Sequence, residues 1–256
     1  MMRTLAVIGA IAGALLSTAF SAAAEDRVTG YQELNDELKA MQDDPFMNPG
    51  MLWVSEGENL WSSTPAGATR SCASCHEDAS SMEGVAARYP AFDEESGTIT
   101  DLSGRIMQCQ SRHQGVEPSK RESRELLALT AFVSRQSADM PITPDPDPRL
   151  QPWRQMGEKL FQTRLGQLNL SCAQCHDDQA GERLLGALIP QAHPTGYPQY
   201  RLEWEGMGSL QRRFNNCLTG IRSTPFAEGS EEYLALELYL MDRASGLPIE
   251  APAIRP

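Results

Sequence analysis

This 256-residue chain is short of cations, holds only four histidines, and offers nothing that could cross a membrane beyond its first two dozen residues. Lysine and arginine number 22 against 34 aspartates and glutamates, a formal net charge of −12. Such a surface repels phosphate backbones, which argues against a nucleic-acid partner. It suits a soluble partner with a basic docking face. The one long apolar run, Leu5–Phe20, follows Arg3 and precedes Ala22-Ala23-Ala24. That is the pattern of a cleaved signal peptide over residues 1–24. No later stretch is apolar enough to span a bilayer. A mature chain of about 230 residues in the periplasm, with no membrane span after cleavage, is therefore expected.

Cysteine is also sparse, with six residues at 72, 75, 109, 172, 175 and 217. In an exported protein the ordinary fate of cysteine is a disulfide. However, Cys72-x-x-Cys75 and Cys172-x-x-Cys175 are each followed at once by histidine, for which a disulfide has no use. CxxCH is the attachment signature of c-type haem: two thiols form thioether links and the histidine ligates iron. Cys72, Cys75, Cys172 and Cys175 are the expected attachment points, His76 and His176 the expected iron ligands. Two covalently attached haem c groups follow.

The chain also resembles itself. At an offset of 100, Trp53 falls on Trp153, Gly57 on Gly157, Trp61 on Phe161, and SCASCH on SCAQCH. At 108, Tyr89-Pro90 falls on Tyr197-Pro198, Arg105 on Arg213, and Cys109 on Cys217; at 107, Ser123 falls on Ser230 and Phe132 on Tyr239. Drift of this size is what small loop insertions produce. Each copy reads as an opening helix with a glycine and an aromatic four residues on, then CxxCH, a long loop, a lone cysteine and a closing amphipathic helix. The first closing helix is expected to start at a capping box, Ser119–Glu122, and the second at Ser230. This arrangement resembles the class I cytochrome c fold and occurs twice, so a mainly α protein is expected: two tandem class I cytochrome c-like domains related by internal duplication. The divisions are a helical extension at 25–50 packing on the first module, domain 1 at 51–142, a Pro-rich linker at 143–152 and domain 2 at 153–256.

Class I cytochromes usually place methionine opposite the histidine, but Met82, Met107, Met140, Met207 and Met241 do not recur at equivalent positions in the two copies. Cys109 and Cys217 do, where a distal ligand belongs. A Cys109–Cys217 disulfide, a pair of inert thiols, or distal ligation by His113 or His193 are the alternatives. Thiolate ligation would stabilise ferric iron and lower both potentials. Arg105 and Arg213 each precede the lone cysteine by four residues, and Arg212 and Arg222 flank only Cys217. Surface charge or pairing with haem propionates is the alternative reading of this cluster; the cationic asymmetry between the copies places the expected chemistry at the second site.

Two cytochrome c modules, each with CxxCH and a later lone cysteine, with RxxxC in the second, resemble the A subunits of the SoxAX cytochromes of thiosulfate oxidation. The resemblance implies the di-haem type, since Cys72, Cys75 and His76 are all present. It implies a heterodimer with a SoxX-like mono-haem cytochrome and a SoxY-type carrier whose cysteine receives thiosulfate. Carried over, Cys217 is both distal ligand and catalytic sulfur, Arg213 holds the sulfur-oxyanion substrate, and Cys109 is the distal ligand of the first haem. The implied activity is an L-cysteine S-thiosulfotransferase passing two electrons to cytochrome c. The competing readings are a thiosulfate dehydrogenase forming tetrathionate and a non-catalytic di-haem electron carrier.

Overall fold

The computed structural model describes residues 27–256, and the expected signal peptide lies outside them. Its first helix, α1 (Asp36–Asp43), begins where the Asn35 side chain accepts a hydrogen bond from Leu38 N, with Asp36 and Glu37 in the first turn. Acidic side chains there complement the exposed N–H groups of a helix start. Then come α2 (Gly50–Ser62), α3 (Ala73–His76), a hairpin of β1 (Ala91–Asp93) and β2 (Thr98–Thr100), α4 (Leu102–Cys109) and α5 (Arg124–Arg135). The second half runs α6 (Gln151–Gln162), α7 (Cys172–His176), a small hairpin of β3 (Arg183–Leu184) and β4 (Ala187–Leu188), β5 (Gln199–Arg201), β6 (Gly206–Gly208), α8 (Leu210–Gly220), α9 (Glu231–Arg243) and β7 (Ala253–Arg255). Strands β6, β5 and β7 form one sheet, β5 antiparallel to β6 and parallel to β7. Among the described residues no helix is long and apolar enough to cross a membrane.

Glycine sets the two principal helix crossings. A Cβ on Gly57 would stand 2.1 Å from the Ala128 carbonyl oxygen, and a Cβ on Gly157 would stand 2.1 Å from that of Ala235. Only glycine lets α2 approach α5, and α6 approach α9, this closely. One turn on, Trp61 meets Phe132 at 5.6 Å between ring centroids, and Phe161 meets Tyr239 at 5.4 Å. The pairs sit at corresponding positions of the two halves. Ser123 and Ser230 cap α5 and α9 in the same way, each accepting from the backbone N–H three residues on.

Two expectations, the capping box and the packing of the N-terminal extension, need correction. The Ser119–Glu122 capping box does not form: α5 starts at Arg124, and Ser119 N donates to Gln110 instead, 2.8 Å away. Glu122 takes a left-handed backbone (φ 59°) and is turned toward Ser209 of the second half. The 143–152 linker is docked along the first half, Thr143 N donating to Ala87 O at 3.0 Å and Asp145 N to Arg88 O at 3.2 Å. The N-terminal extension packs against β7 at the far end of the chain rather than on the first module. Gln42 Oε1 accepts from Ile254 N at 3.0 Å and Asn48 Nδ2 donates to Pro252 O at 3.0 Å. Local pattern identifies the helix, but its partner lies some 200 residues away in sequence.

The halves share a core. Ile99 of the first is buried with Leu234 and Leu238 of the second and with Leu150 of the segment between them. Their exit segments pair directly, Pro141 bridging antiparallel to Pro248. Ile142 N donates to Leu247 O and Gly246 N to Ile142 O, both at 2.8 Å.

Candidate functional site

Ser171 starts α7 with a reciprocal capping box: its side chain accepts from Gln174 N, and Gln174 Oε1 accepts from Ser171 N at 3.0 Å. The box fixes one short turn carrying Cys172, Cys175 and His176. Cysteines three apart share a helix face. His176 Nδ1 lies 2.7 Å from the Pro190 carbonyl oxygen, which can only accept, so the proton sits on Nδ1 and the Nε2 lone pair is left for a metal. Burial holds this imidazole below its ordinary pKa, which favours the neutral, ligating form.

Across from α7, α8 presents Arg213 and Cys217 on successive turns, while Phe214 and Leu218 face the core. The space between is a cavity of about 580 Å³ bordered by Cys172, His176, Arg213 and Cys217, with Phe161, Leu210, Phe214, Leu236 and Leu240 as its apolar walls. That size lies within the roughly 300–1,000 Å³ range of cofactor pockets. The residues fit a covalently held porphyrin: Cys172 and a correctly protonated His176 border the cavity from one short turn that also carries Cys175, Cys217 borders it from α8, and the walls are apolar. Among the described residues no methionine borders this cavity. Met207 and Met241 are instead in the core.

Arginines enter the cavity differently from the sequence expectation. Arg213 borders it, whereas Arg212 stacks on Trp204 at 4.3 Å and donates to Met207 O, and Arg222 is exposed at the end of α8. Arg201 of β5 and Arg255 of β7 border it in their place. So do Tyr197, whose hydroxyl pKa burial pushes up to about 12, and His193, whose Nδ1 sits 2.7 Å from Val28 O. The extension contributes Gly30, Leu34 and Leu38 to the wall. Sequence reasoning found no chemistry in that segment and did not single out Arg201. The signal for Arg201 was present in the 108-residue offset, which places it on Asp93.

The first half brings together Cys72, Cys75 and Cys109, which lie within electrostatic range of one another, on a more open surface where Cys75 and His76 are exposed. Trp61 lies 5.5 Å from the His76 ring. Burial pushes the Cys109 thiol up in spite of Arg105 and Arg112 nearby. Both arginines are already paired with buried Asp93, at 2.9 and 3.1 Å, and Arg112 also with Glu95. Burial opposes ionisation of Asp93, but hydrogen bonds from Arg112 and Ser96 outweigh it and hold the carboxyl well below the usual range. His113 is exposed on the turn after α4. No disulfide joins any of the six cysteines, and Cys109 and Cys217 belong to different clusters, each beside its own CxxCH.

Residues 56–142 and 156–249 match the SoxA/TsdA cytochrome c domain. The chain belongs to the SoxA/TsdA cytochrome c family. Covalently held haem c is the prosthetic group that family implies. Similar members include the L-cysteine S-thiosulfotransferase subunit SoxA of Pseudaminobacter salicylatoxidans, 36% identical over 90% of this chain and 82% of the relative. The corresponding SoxA of Paracoccus pantotrophus is 33% identical over 89% of this chain and 78% of the relative. Among solved structures, the crystal structure of SoxXA from P. pantotrophus matches with a TM-score of 0.86 and 32% identity, covering 90% of this chain and 87% of that one.

Proposed function

We propose that this SoxA/TsdA-family chain is a periplasmic L-cysteine S-thiosulfotransferase subunit. It carries two haem c groups, on Cys72/Cys75 and on Cys172/Cys175, in two cytochrome c-like domains that arose by duplication. His76 and Cys109 would hold the first iron, His176 and Cys217 the second. The proposed divisions are the signal peptide 1–24, extension 25–50, domain 1 over 51–142, linker 143–152 and domain 2 over 153–256. The paired glycine crossings, aromatic pairs and serine caps support the duplication. The partners would be a SoxX-like mono-haem subunit and a SoxY-type carrier.

The observation that carries the reading is that Cys217 and Arg213 open into the same cavity as Cys172 and His176. A nucleophilic sulfur beside a guanidinium that has no carboxylate partner among the described residues suits a dianionic thiosulfate. Arg213 binds the substrate, and an S–S bond forms between the Cys217 thiolate and the outer sulfur of thiosulfate as two electrons leave. Bound haem supplies one-electron acceptors for this step, with cytochrome c as the onward acceptor. The carrier thiolate then attacks that outer sulfur, forming the carrier thiosulfonate and freeing the Cys217 thiolate. Overall the carrier's S–H bond breaks, an S–S bond forms, and one proton and two electrons are released.

Product analysis of the purified holo-complex with thiosulfate and carrier tests this. Carrier-bound thiosulfonate is expected. Free tetrathionate would indicate a thiosulfate dehydrogenase, and electron transfer without a sulfur product a plain carrier. Cys217→Met should lower sulfur transfer by at least about 10³-fold, the scale of losing a covalent nucleophile. A mere electron carrier would survive that change with a shifted potential.

A further inference from the structure

The hairpins that precede the two lone cysteines share one register. Tyr89-Pro90 leads into β1 and Tyr197-Pro198 into β5; the last residue of each strand pairs with the first of the next, Asp93 with Thr98 and Arg201 with Gly206. Asp93 and Arg201 each lie 12 residues before the arginine of Arg-x-x-x-Cys. They are the same position of the two halves, with opposite charge.

In the first half Asp93 neutralises the local cations. It pairs with Arg105 and Arg112, and Arg105 Nε is further held by Tyr89 OH at 3.2 Å. In the second half no acid stands there. The counterpart of Arg112 is Gly220, and among the described residues Arg213 has no ion-pair partner. Arg201 is itself largely buried, its side chain 11% exposed, and is tethered on one flank: Nε to Pro256 O at 2.8 Å and Nη2 to Glu203 at 2.8 Å. No hydrogen bond among the described residues engages its Nη1. Arg201, Arg213, Tyr197 and Cys217 all border the cavity. After burial, the charge of Arg213 is the largest influence lowering the Arg201 pKa, against the raising effects of Glu203, Tyr197 and Cys217, so the two cations sense each other across the cavity. Like charges held together in a partly dry cavity are stabilised by an anion that bridges them.

We propose that Arg201 is a specificity-determining residue of the C-terminal site, forming with Arg213 a two-guanidinium fork for a sulfur oxyanion of double negative charge. The aspartate-to-arginine reversal between halves then confines anion recognition to the second site. This rests on the function proposed above and adds the residue that selects its substrate by charge.

The test uses the holo-complex with carrier protein and thiosulfate at low salt. Arg201→Gln should raise KM for thiosulfate about tenfold or more and leave kcat within about threefold, the loss of one charge-assisted contact. Arg201→Lys, which keeps the charge but not the fork, should fall between. Arg201→Asp, which restores the first-half charge, should lose saturable thiosulfate binding. Glu203→Gln cuts the tether and spares the cation, so its KM should stay near that of the unaltered protein. An unchanged KM in Arg201→Gln with a lowered Tm, or an equal rise in Glu203→Gln, would overturn the fork and leave Arg201 a structural strut. If the unaltered complex makes no carrier thiosulfonate, the functional reading fails on its own. Calorimetric titration of the oxidised holoprotein with thiosulfate still decides the fork, because Arg201→Gln must weaken binding about tenfold.

Discussion

One carboxyl outside the cysteine–histidine clusters is out of its ordinary state. Glu237 on α9 borders a cavity of about 70 Å³ between the halves, beside Asp101, Gln211, Tyr89 and Tyr197. Gln211 Nε2 reaches both Asp101 and Glu237, at 3.2 and 3.4 Å, while Arg121 is committed to Asp101 at 2.6 Å. Burial and then the charge of Asp101 push the Glu237 carboxyl up to about 8, against the pull of Arg121. Below its unfolded pKa of about 4.5 the group is neutral in both states. Between there and 8 only the unfolded chain releases the proton, so folding stability falls as pH rises through that window. Glu237→Gln should flatten this slope and gain roughly 1 kcal/mol or more at pH 8 relative to pH 5. Denaturation midpoints of the two proteins across that range measure it, and parallel pH profiles would show Glu237 to be ionised already.

Among the elements, the helix crossings give the sharpest expectation. Gly157→Ala puts a methyl group against the Ala235 carbonyl, with no flexible side chain to give way. A destabilisation of roughly 1–3 kcal/mol is expected, read from the chemical denaturation midpoint, and the same for Gly57→Ala. A change below about 0.5 kcal/mol in either would mean that the helices slide apart freely. The helices that cross here were readable from sequence because they carry local repeats (glycine and aromatic four apart, serine before a helical apolar face, CxxCH), whereas the crossing itself was not. What was not readable depended on residues distant in the chain. Ser119–Glu122 has the spacing of a cap, but Glu122 is drawn to Ser209 of the other half, and Ser123 takes over. Arg212 and Arg222 flank Cys217 in sequence, yet a helix turns 100° per residue, so only Arg213, four before it, shares its face. Arg201 reaches that face through a strand, which no count along α8 could reveal.

At the scale of the whole molecule, the two halves are one body. The Pro141–Pro248 bridge and the buried cluster of Ile99, Leu150, Leu234 and Leu238 cross the boundary between them. The holoprotein should therefore unfold in one calorimetric transition, with van't Hoff and calorimetric enthalpies in agreement. Two resolved transitions would make the halves separate domains joined by a tether.

The docking of the amino-terminal segment onto the last strand has a consequence in time. Val28 waits for His193, Asn48 for Pro252, and Arg27 for the Arg243 carbonyl, separations of 165, 204 and 216 residues. A chain delivered amino-end first carries one side of its C-terminal chamber as an unpaired flap until residues 193–252 have emerged. Contacts of such long range are late to close, and a segment held at the margins is an early place to open. Loading of a prosthetic group can thus precede sealing, with residues 27–48 and 252–255 meeting over it as a clasp.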